Sequence, residues 1–148
     1  MLLEGFDLAD VFGMSLWGIY NVANPFYMQG KPEHTLRAMI DGVFMAITYA
    51  GDKFDESFAL KEDFEYSCRM ILRDGGTLIR NRFVADYSVR NAGGCRKFWD
   101  DAGERADTCN RLIQKYPSIL RRHSRRPDEI AISKKGIKNG KAGSRRDG

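Results

Sequence analysis

The longest regular pattern in this 148-residue sequence is an apolar stripe that runs from residue 95 to residue 116. Apolar side chains recur there every three or four residues, which is the spacing of one face of an α-helix. Charged residues on the other face form i,i+4 pairs of opposite sign, such as Asp107 with Arg111. Pro117 follows the stripe and predicts the end of the helix. A helix of this length has to bury its apolar face against other elements, so it constrains the expected fold most.

Four more segments show apolar residues at helical spacing, and we predict a helix in each: residues 7–21, 32–51, 60–74 and 77–91. The second begins at Pro32, a residue type favoured at the first position of a helix. The third is followed by Gly75 and Gly76, which are typical of a helix end. We therefore predict a mainly α-helical fold, a single helical-bundle domain of about five helices over residues 1–117.

Two of these segments also fit β-strands, and they define an alternative α+β fold. Residues 43–49 form a short apolar run, which is compatible with a buried strand as well as with a helix. In residues 77–89, Ile79 and Phe83 alternate with Arg80 and Arg82, as the two faces of a strand would. Few other segments offer a strand partner, so we prefer a helix for residues 77–91.

Charge divides the chain into an acidic and a basic part. Residues 1–74 contain 6 Lys or Arg and 12 Asp or Glu, whereas residues 111–148 contain 12 and 3. Residues 121–148 are rich in Arg, Lys, Gly and Ser and hold few large apolar side chains, so burial cannot offset the entropy lost on ordering them. We predict a basic, largely disordered tail over residues 118–148. An acidic body with a basic tail is typical of a chain that contacts a polyanion.

The tail and a second arginine-rich segment supply the candidate nucleic-acid-binding residues. Four arginines within residues 121–126 provide planar donor groups that match phosphate oxygens. The leading hypothesis is a non-enzymatic module that binds the backbone of RNA or DNA without sequence preference, alone or as a subunit of a nucleoprotein assembly. The residues predicted to make these contacts are Arg80, Arg82, Arg90, Lys97, Arg121, Arg122, Arg125, Arg126, Lys134, Lys135 and Lys138.

The same basic cluster contains a serine, Ser124, which follows Arg121, Arg122 and His123. Arginines two and three positions before a serine resemble the acceptor sites of kinases that select basic substrates. The pattern is common by chance, so by itself it assigns no function.

A second hypothesis is a protein-binding adaptor or inhibitor. In it, the acidic half imitates phosphate charge and engages a basic protein that handles nucleic acid, while the nearly uncharged segment 12–28 supplies hydrophobic contact area. The residues predicted for this face are Asp52, Asp55, Glu56, Glu62, Asp63, Trp17, Phe26 and Tyr27.

The three cysteines, Cys68, Cys95 and Cys109, have long spacings that fit neither a disulfide framework nor a zinc site. Each lies on the apolar stripe of a predicted helix, as a reduced core thiol would. The sequence contains no phosphate loop, dinucleotide-binding fingerprint or hydrolase motif. We therefore expect no catalytic residues, metal or cofactor, and we keep a small enzyme that uses scattered side chains as the third hypothesis.

The segment between Asp10 and Lys31 contains no charged residue and has the length of a membrane span. Its second half holds Asn21, Asn24 and Gln29, which disfavours a span. Acidic rather than basic residues precede it, which disfavours a secretory signal. We expect no membrane span and no signal peptide, and we predict an intracellular protein.

Overall fold

The computed structural model describes residues 2–21, 25–48, 51–85 and 101–133. Helices make up 36% of the structure and strands 22%, and the strands form two sheets, so the prediction of a mainly α-helical bundle is wrong and the alternative α+β fold is confirmed. The helices are α1 (Leu2–Val11), α2 (Pro25–Met28), α3 (Glu62–Asp74) and α4 (Ala102–Lys115). The strands are β1 (Leu16–Tyr20), β2 (His34–Leu36), β3 (Met45–Ile47), β4 (Leu78–Val84), β5 (Leu120–Arg122) and β6 (Ile130–Ile132).

A four-stranded mixed sheet in the order β2-β4-β1-β3 forms the centre of the fold. Strand β1 runs parallel to β4, with Trp17 opposite Leu78, and antiparallel to β3, with Trp17 opposite Ala46. Strand β2 pairs with β4 in the antiparallel sense and forms one edge of the sheet. The sheet therefore depends on pairing between strands that are far apart in the chain.

The predicted helix over residues 7–21 is wrong beyond residue 11, where the chain turns and forms β1. Both faces of β1 are buried: Leu16 packs in the cluster beside α3, and Trp17 packs in the cluster beside α1. A strand buried on both faces carries a continuous apolar run and lacks the alternation that distinguishes most strands. In this segment the run coincided with helical spacing.

Helix α1 covers one face of the sheet through contacts with Trp17. Ala9 packs with Trp17 and Leu78, and the Phe6 ring meets the indole edge to face with 5.5 Å between centroids. Gly5 lies against the same indole, so closely that a Cβ at this position would be 2.3 Å from the Trp17 ring. The close approach of α1 to the sheet therefore requires glycine at position 5.

Helix α3 covers the opposite face and confirms the prediction for residues 60–74. Tyr66 and Met70 pack on Leu16 and Ile79 of the sheet. The helix ends at Asp74, because Gly75 adopts a left-handed conformation with φ of 81°. The face of α3 that points away from the sheet carries Cys68, which packs against α4 and the β5–β6 hairpin in a third layer.

The helices predicted over residues 32–51 and 77–91 are wrong within residues 32–48 and 77–85, where the chain forms strands, and residues 49–50 and 86–91 lie outside the described residues. Residues 34–36 and 45–47 form β2 and β3, and residues 78–84 form β4. The alternation in β4 is interrupted: Ile79 packs on the α3 side, whereas Phe83 packs on the α1 side, and the register between β1 and β4 shifts nearby. This irregularity weakened the strand signal in the sequence.

The helix predicted over residues 95–116 begins later than its apolar stripe. Asp101 has an extended backbone, and its carboxylate accepts hydrogen bonds from the amides of Gly103 and Glu104 as an N-cap. The residues of the stripe before position 101 lie outside the described residues, and Cys95 is among them. The other two cysteines, Cys68 and Cys109, are buried free thiols, as predicted.

The chain continues as ordered structure beyond Pro117, so the prediction of a largely disordered tail is wrong for residues 118–133. Ile119, Leu120 and Ile130 are buried in the cluster that contains Leu112 of α4. A hairpin with only a few apolar residues is ordered here because it shares the core of α3 and α4 and does not build its own. Residues 134–148 lie outside the described residues.

Candidate functional site

The hairpin formed by β5, β6 and the loop between them, which we call the basic hairpin (residues 120–132), presents arginines at the protein surface. Leu120 pairs with Ile132, and Arg122 pairs with Ile130. The buried side chains of Leu120 and Ile130 fix the hairpin to the body of the protein. Its four arginines are all exposed. They are Arg121 and Arg122 on β5, and Arg125 and Arg126 in the loop.

Both acidic residues of the basic hairpin point back toward the body. Asp128 accepts a hydrogen bond from Nε of Arg105 on α4 at 3.1 Å, and this bond holds the pKa of Asp128 below its usual value. Glu129 accepts from Nζ of Lys61 at 3.0 Å, and the Lys61 side chain is only 3% exposed. Lys61 and Arg105, outside the hairpin, therefore compensate the charges of its two acidic residues. The positive charges of the four hairpin arginines are then not compensated by acids of the hairpin itself.

Hydrogen bonds to uncharged acceptors orient two of the four hairpin arginines. Arg122 donates hydrogen bonds to the Asn110 side-chain oxygen and to the Pro127 carbonyl, and both acceptors are uncharged. Arg121 donates to the carbonyl of Arg122 at 3.3 Å. Within the described part of the chain, no carboxylate forms an ion pair with any of the four hairpin arginines. A guanidinium with a fixed direction and no internal counter-ion is suited to bind a phosphate oxygen.

The two arginines of β4 differ sharply in how accessible they are to a ligand. Arg80 is 3% exposed, forms an ion pair with Glu4 of α1 at 2.9 Å and lies over the ring of Phe83. Arg82 is 72% exposed and lies 3.8 Å from a carboxylate oxygen of Glu33. The structure thus gives Arg80 a role inside the fold and leaves Arg82 at the surface. The remaining predicted contacts lie outside the described residues: Arg90, Lys97, Lys134, Lys135 and Lys138.

Two of the acidic residues predicted to bind a protein partner are engaged within the chain. Asp52 forms an ion pair with Arg73 on α3. Asp55 accepts a hydrogen bond from Nζ of Lys115 on α4 at 2.8 Å, and this bond lowers the pKa of Asp55. Their charges are compensated by neighbours, which reduces the field that they offer to a basic partner.

The other residues predicted for the protein-binding face differ in exposure. Glu56 is exposed, and Glu62 is half-buried at the start of α3. Trp17 is fully buried in the core, whereas Phe26 and Tyr27 are exposed on α2 with their rings edge to face at 5.4 Å. Because Trp17 is buried, it is not part of an exposed protein-binding face, and the adaptor hypothesis stays a prediction.

Asp63 carries a charge that opposes folding at neutral pH. Burial raises the pKa of Asp63 to about 6, although its carboxylate accepts hydrogen bonds from the amides of Gly42 and Phe64 at 2.8 Å each. The negative charges of Asp41 and Glu62 act in the same direction as burial. A carboxyl group whose pKa is raised by folding stabilises the protein when it is protonated. That contribution is complete below about pH 4 and is lost as the pH rises through about 6.

We expect the stability of Asp63→Asn relative to the natural protein to rise by about 2 kcal/mol between pH 4 and pH 7, because asparagine carries no charge. Its one oxygen can accept from the Gly42 amide, and the loss of the acceptor for the Phe64 amide affects both pH values alike. The difference in charge should disappear near pH 4, where Asp63 is itself protonated. Urea unfolding at the two pH values measures both differences. Glu56→Gln, which removes a charge from an exposed position, is the matched control and should show little difference at either pH. An equal stability change at both pH values for Asp63→Asn would contradict the raised pKa.

A buried carboxylate that the sequence analysis did not select joins α3 to α4. Glu65 is 1% exposed and accepts hydrogen bonds from Lys115 at 2.8 Å, from the Tyr116 hydroxyl at 2.5 Å and from Arg69 at 3.1 Å. Burial and the hydrogen bond to Glu65 raise the pKa of Tyr116 to about 12. Only the i,i+4 spacing of Glu65 and Arg69 was visible in the sequence. Three donors satisfy this carboxylate, so we interpret it as a clamp between the helices.

Comparison with protein families, with curated proteins and with solved structures finds no match for this chain. No three His, Cys, Asp or Glu side chains in the described ranges are grouped as a metal ion would require. No helix within those same ranges is long and apolar enough to cross a membrane. Among the described residues, the basic hairpin combines four exposed arginines with no ion pair to any of them, which suits it to bind an anion.

Proposed function

We propose that this protein binds the phosphate backbone of RNA or DNA through the basic hairpin, as a non-enzymatic module that acts alone or in a nucleoprotein assembly. The observation that supports this function is the segregation of charge within the hairpin. Its two acids bind Arg105 and Lys61 of the body, while its four arginines are exposed. The result is a surface on which positive charge is concentrated and internally uncompensated among the described residues.

The chemistry of the site favours phosphate over bases. A guanidinium donates two parallel hydrogen bonds to a phosphate, and such contacts fix a protein on a backbone without reading the sequence. Residues 120–132 contain no Phe, Tyr or Trp, and the His123 imidazole is the one aromatic ring among these arginines. We therefore expect binding that depends strongly on salt and weakly on nucleotide sequence.

The charge of the rest of the chain restricts where a polyanion docks. Residues 1–74 carry a net charge of −6, from 6 basic and 12 acidic residues. This half repels a phosphate backbone, so the basic hairpin is the favoured approach. Arg82 is retained as a secondary contact, whereas Arg80 is left out of the proposed site because its side chain is buried against Glu4.

The experiment that tests this function is a salt titration of binding by the full chain. A truncated chain ending at residue 117 is unsuitable, because it lacks Ile119, Leu120 and Ile130 of the core. Fluorescently labelled duplex DNA and single-stranded RNA of random sequence serve as probes between ~50 and ~400 mM salt.

If each hairpin arginine neutralises one phosphate, a plot of the logarithm of the DNA association constant against the logarithm of salt concentration should have a slope of about −3.6 or steeper. We expect similar affinities for unrelated sequences of the same length. Absence of binding to both probes at the lowest salt concentration would overturn the proposed function.

A further inference from the structure

Ser124 occupies the loop of the basic hairpin, between the two pairs of arginines. Its side chain is exposed, and its hydroxyl forms no hydrogen bond with another described residue. Next to it, the Arg125 amide donates to Nδ1 of His123 at 3.2 Å. The hydroxyl of Ser124 is therefore accessible to a modifying enzyme.

The surroundings of Ser124 match the chemistry of a kinase that selects basic substrates. Arg121 and Arg122 precede it by three and two positions and are exposed. A kinase with an acidic substrate groove recognises cations placed in this way and rejects nearby acids. The nearest acidic residues in sequence, Asp128 and Glu129, are held by Arg105 and Lys61. The fold thus removes the two charges that would oppose recognition.

We propose that Ser124 is a phosphorylation site for an arginine-directed serine kinase, and that its phosphate switches off binding of nucleic acid. The second half of this statement rests on the proposed function. In the transfer, Oγ of Ser124 forms a bond to the γ-phosphorus of ATP while the bond from that phosphorus to the β,γ-bridging oxygen breaks. ADP leaves, and the hydroxyl proton passes to the catalytic base of the kinase.

A phosphate at Ser124 competes with the nucleic acid for the same arginines. The phosphoserine carries a charge of roughly −1.5 to −2 and three acceptor oxygens. It therefore occupies guanidinium donors that would otherwise contact about two backbone phosphates. At ~0.1 M salt, the loss of two such contacts lowers the affinity for duplex DNA by about 60-fold and makes the salt slope shallower by about 1.8.

The first arm of the test measures phosphorylation of the folded, full chain. The protein is incubated with ATP and a purified arginine-directed serine kinase, and the product is analysed by intact mass and peptide mapping. We expect one phosphate on Ser124 and none on Ser118 or Ser133, because neither has an arginine two or three positions before it. Ser124→Ala should take up none.

A synthetic peptide of residues 119–129 is the control for sequence recognition. Phosphorylation of the peptide without phosphorylation of the folded chain would overturn the assignment of Ser124 as a site in this protein. Failure of both to accept phosphate would overturn it as well, because the arginines would then not direct the kinase.

The second arm compares binding by the phosphorylated and unmodified chains with the same DNA and RNA probes. A loss of about 60-fold at ~0.1 M salt supports the switch. Unchanged affinity after phosphorylation would overturn the switch and leave the proposed function intact. Absence of binding by the unmodified chain would overturn the proposed function together with the switch, while the mass measurement still decides whether Ser124 accepts phosphate.

Discussion

Replacing Gly5 with alanine is expected to lower the free energy of unfolding by about 3 kcal/mol. In most helix interiors the same change raises stability by ~1 kcal/mol, because alanine loses less backbone entropy on folding. Here the added Cβ would lie 2.3, 2.4 and 2.7 Å from three carbons of the Trp17 ring. The indole is fully buried and is held by Phe6 and Phe44, so it has little room to move. Steric overlap therefore outweighs the propensity of alanine for the helix.

Chemical denaturation of the full chain measures this effect. Leu3→Ala, at a position of the same helix that is 81% exposed, is the control and should change stability by well under ~1 kcal/mol. In a Trp17→Phe background the outer ring of the indole is absent, so Gly5→Ala should become neutral or stabilising. A stabilising Gly5→Ala in the natural background would show that α1 does not pack on Trp17.

Changing all four hairpin arginines to glutamine should weaken binding of duplex DNA by about 10³-fold at ~0.1 M salt. Each arginine is expected to neutralise one phosphate, and each lost contact removes ~0.9 from the salt slope. Because the four side chains are exposed, the fold should persist, which thermal unfolding of the variant checks. The variant changes these residues: Arg121, Arg122, Arg125 and Arg126.

A pair of double variants separates the position of the charge from its amount. Arg125→Gln with Arg126→Gln and Lys31→Gln with Lys53→Gln both remove two positive charges from exposed positions. The hairpin pair should lose about 60-fold in affinity, and the other pair only a few-fold. Equal losses in the two double variants would mean that net charge, and not the basic hairpin, determines binding.

Helix α3 was predictable from the sequence because local and tertiary signals agree there. Its apolar face, its acidic first turn and the glycine after Asp74 all favour a helix between the same residues. Strand β1 was not predictable, because Leu16 and Trp17 face different layers and the segment is apolar throughout. Only knowledge of what packs on each face distinguishes such a segment from a buried helix.

The candidate site was partly visible in the sequence and partly not. The arginines of residues 121–126 stand out in the sequence, and the structure shows them exposed. The pairing of Glu129 with Lys61 was hidden, because 68 positions separate the two residues. Burial of Arg80 was hidden for the same reason, since its partner Glu4 lies on α1. Charge composition indicates which residues can bind an anion, and only the fold decides which of them are neutralised internally.

The parallel pairing of β1 with β4 has a consequence for how the chain is made. Trp17 has no parallel neighbour until Leu78 has left the ribosome, and α3, which covers the Leu16 side of the sheet, is synthesised only shortly before. Pairing over such a separation has to await closure of a long loop, which slows folding. Until then, β1 has only β3 and α1 as partners, and the edge that pairs with β4 stays open to chaperones and to aggregation. The N-terminal half of this protein is translated first but completes its structure only when the second half arrives.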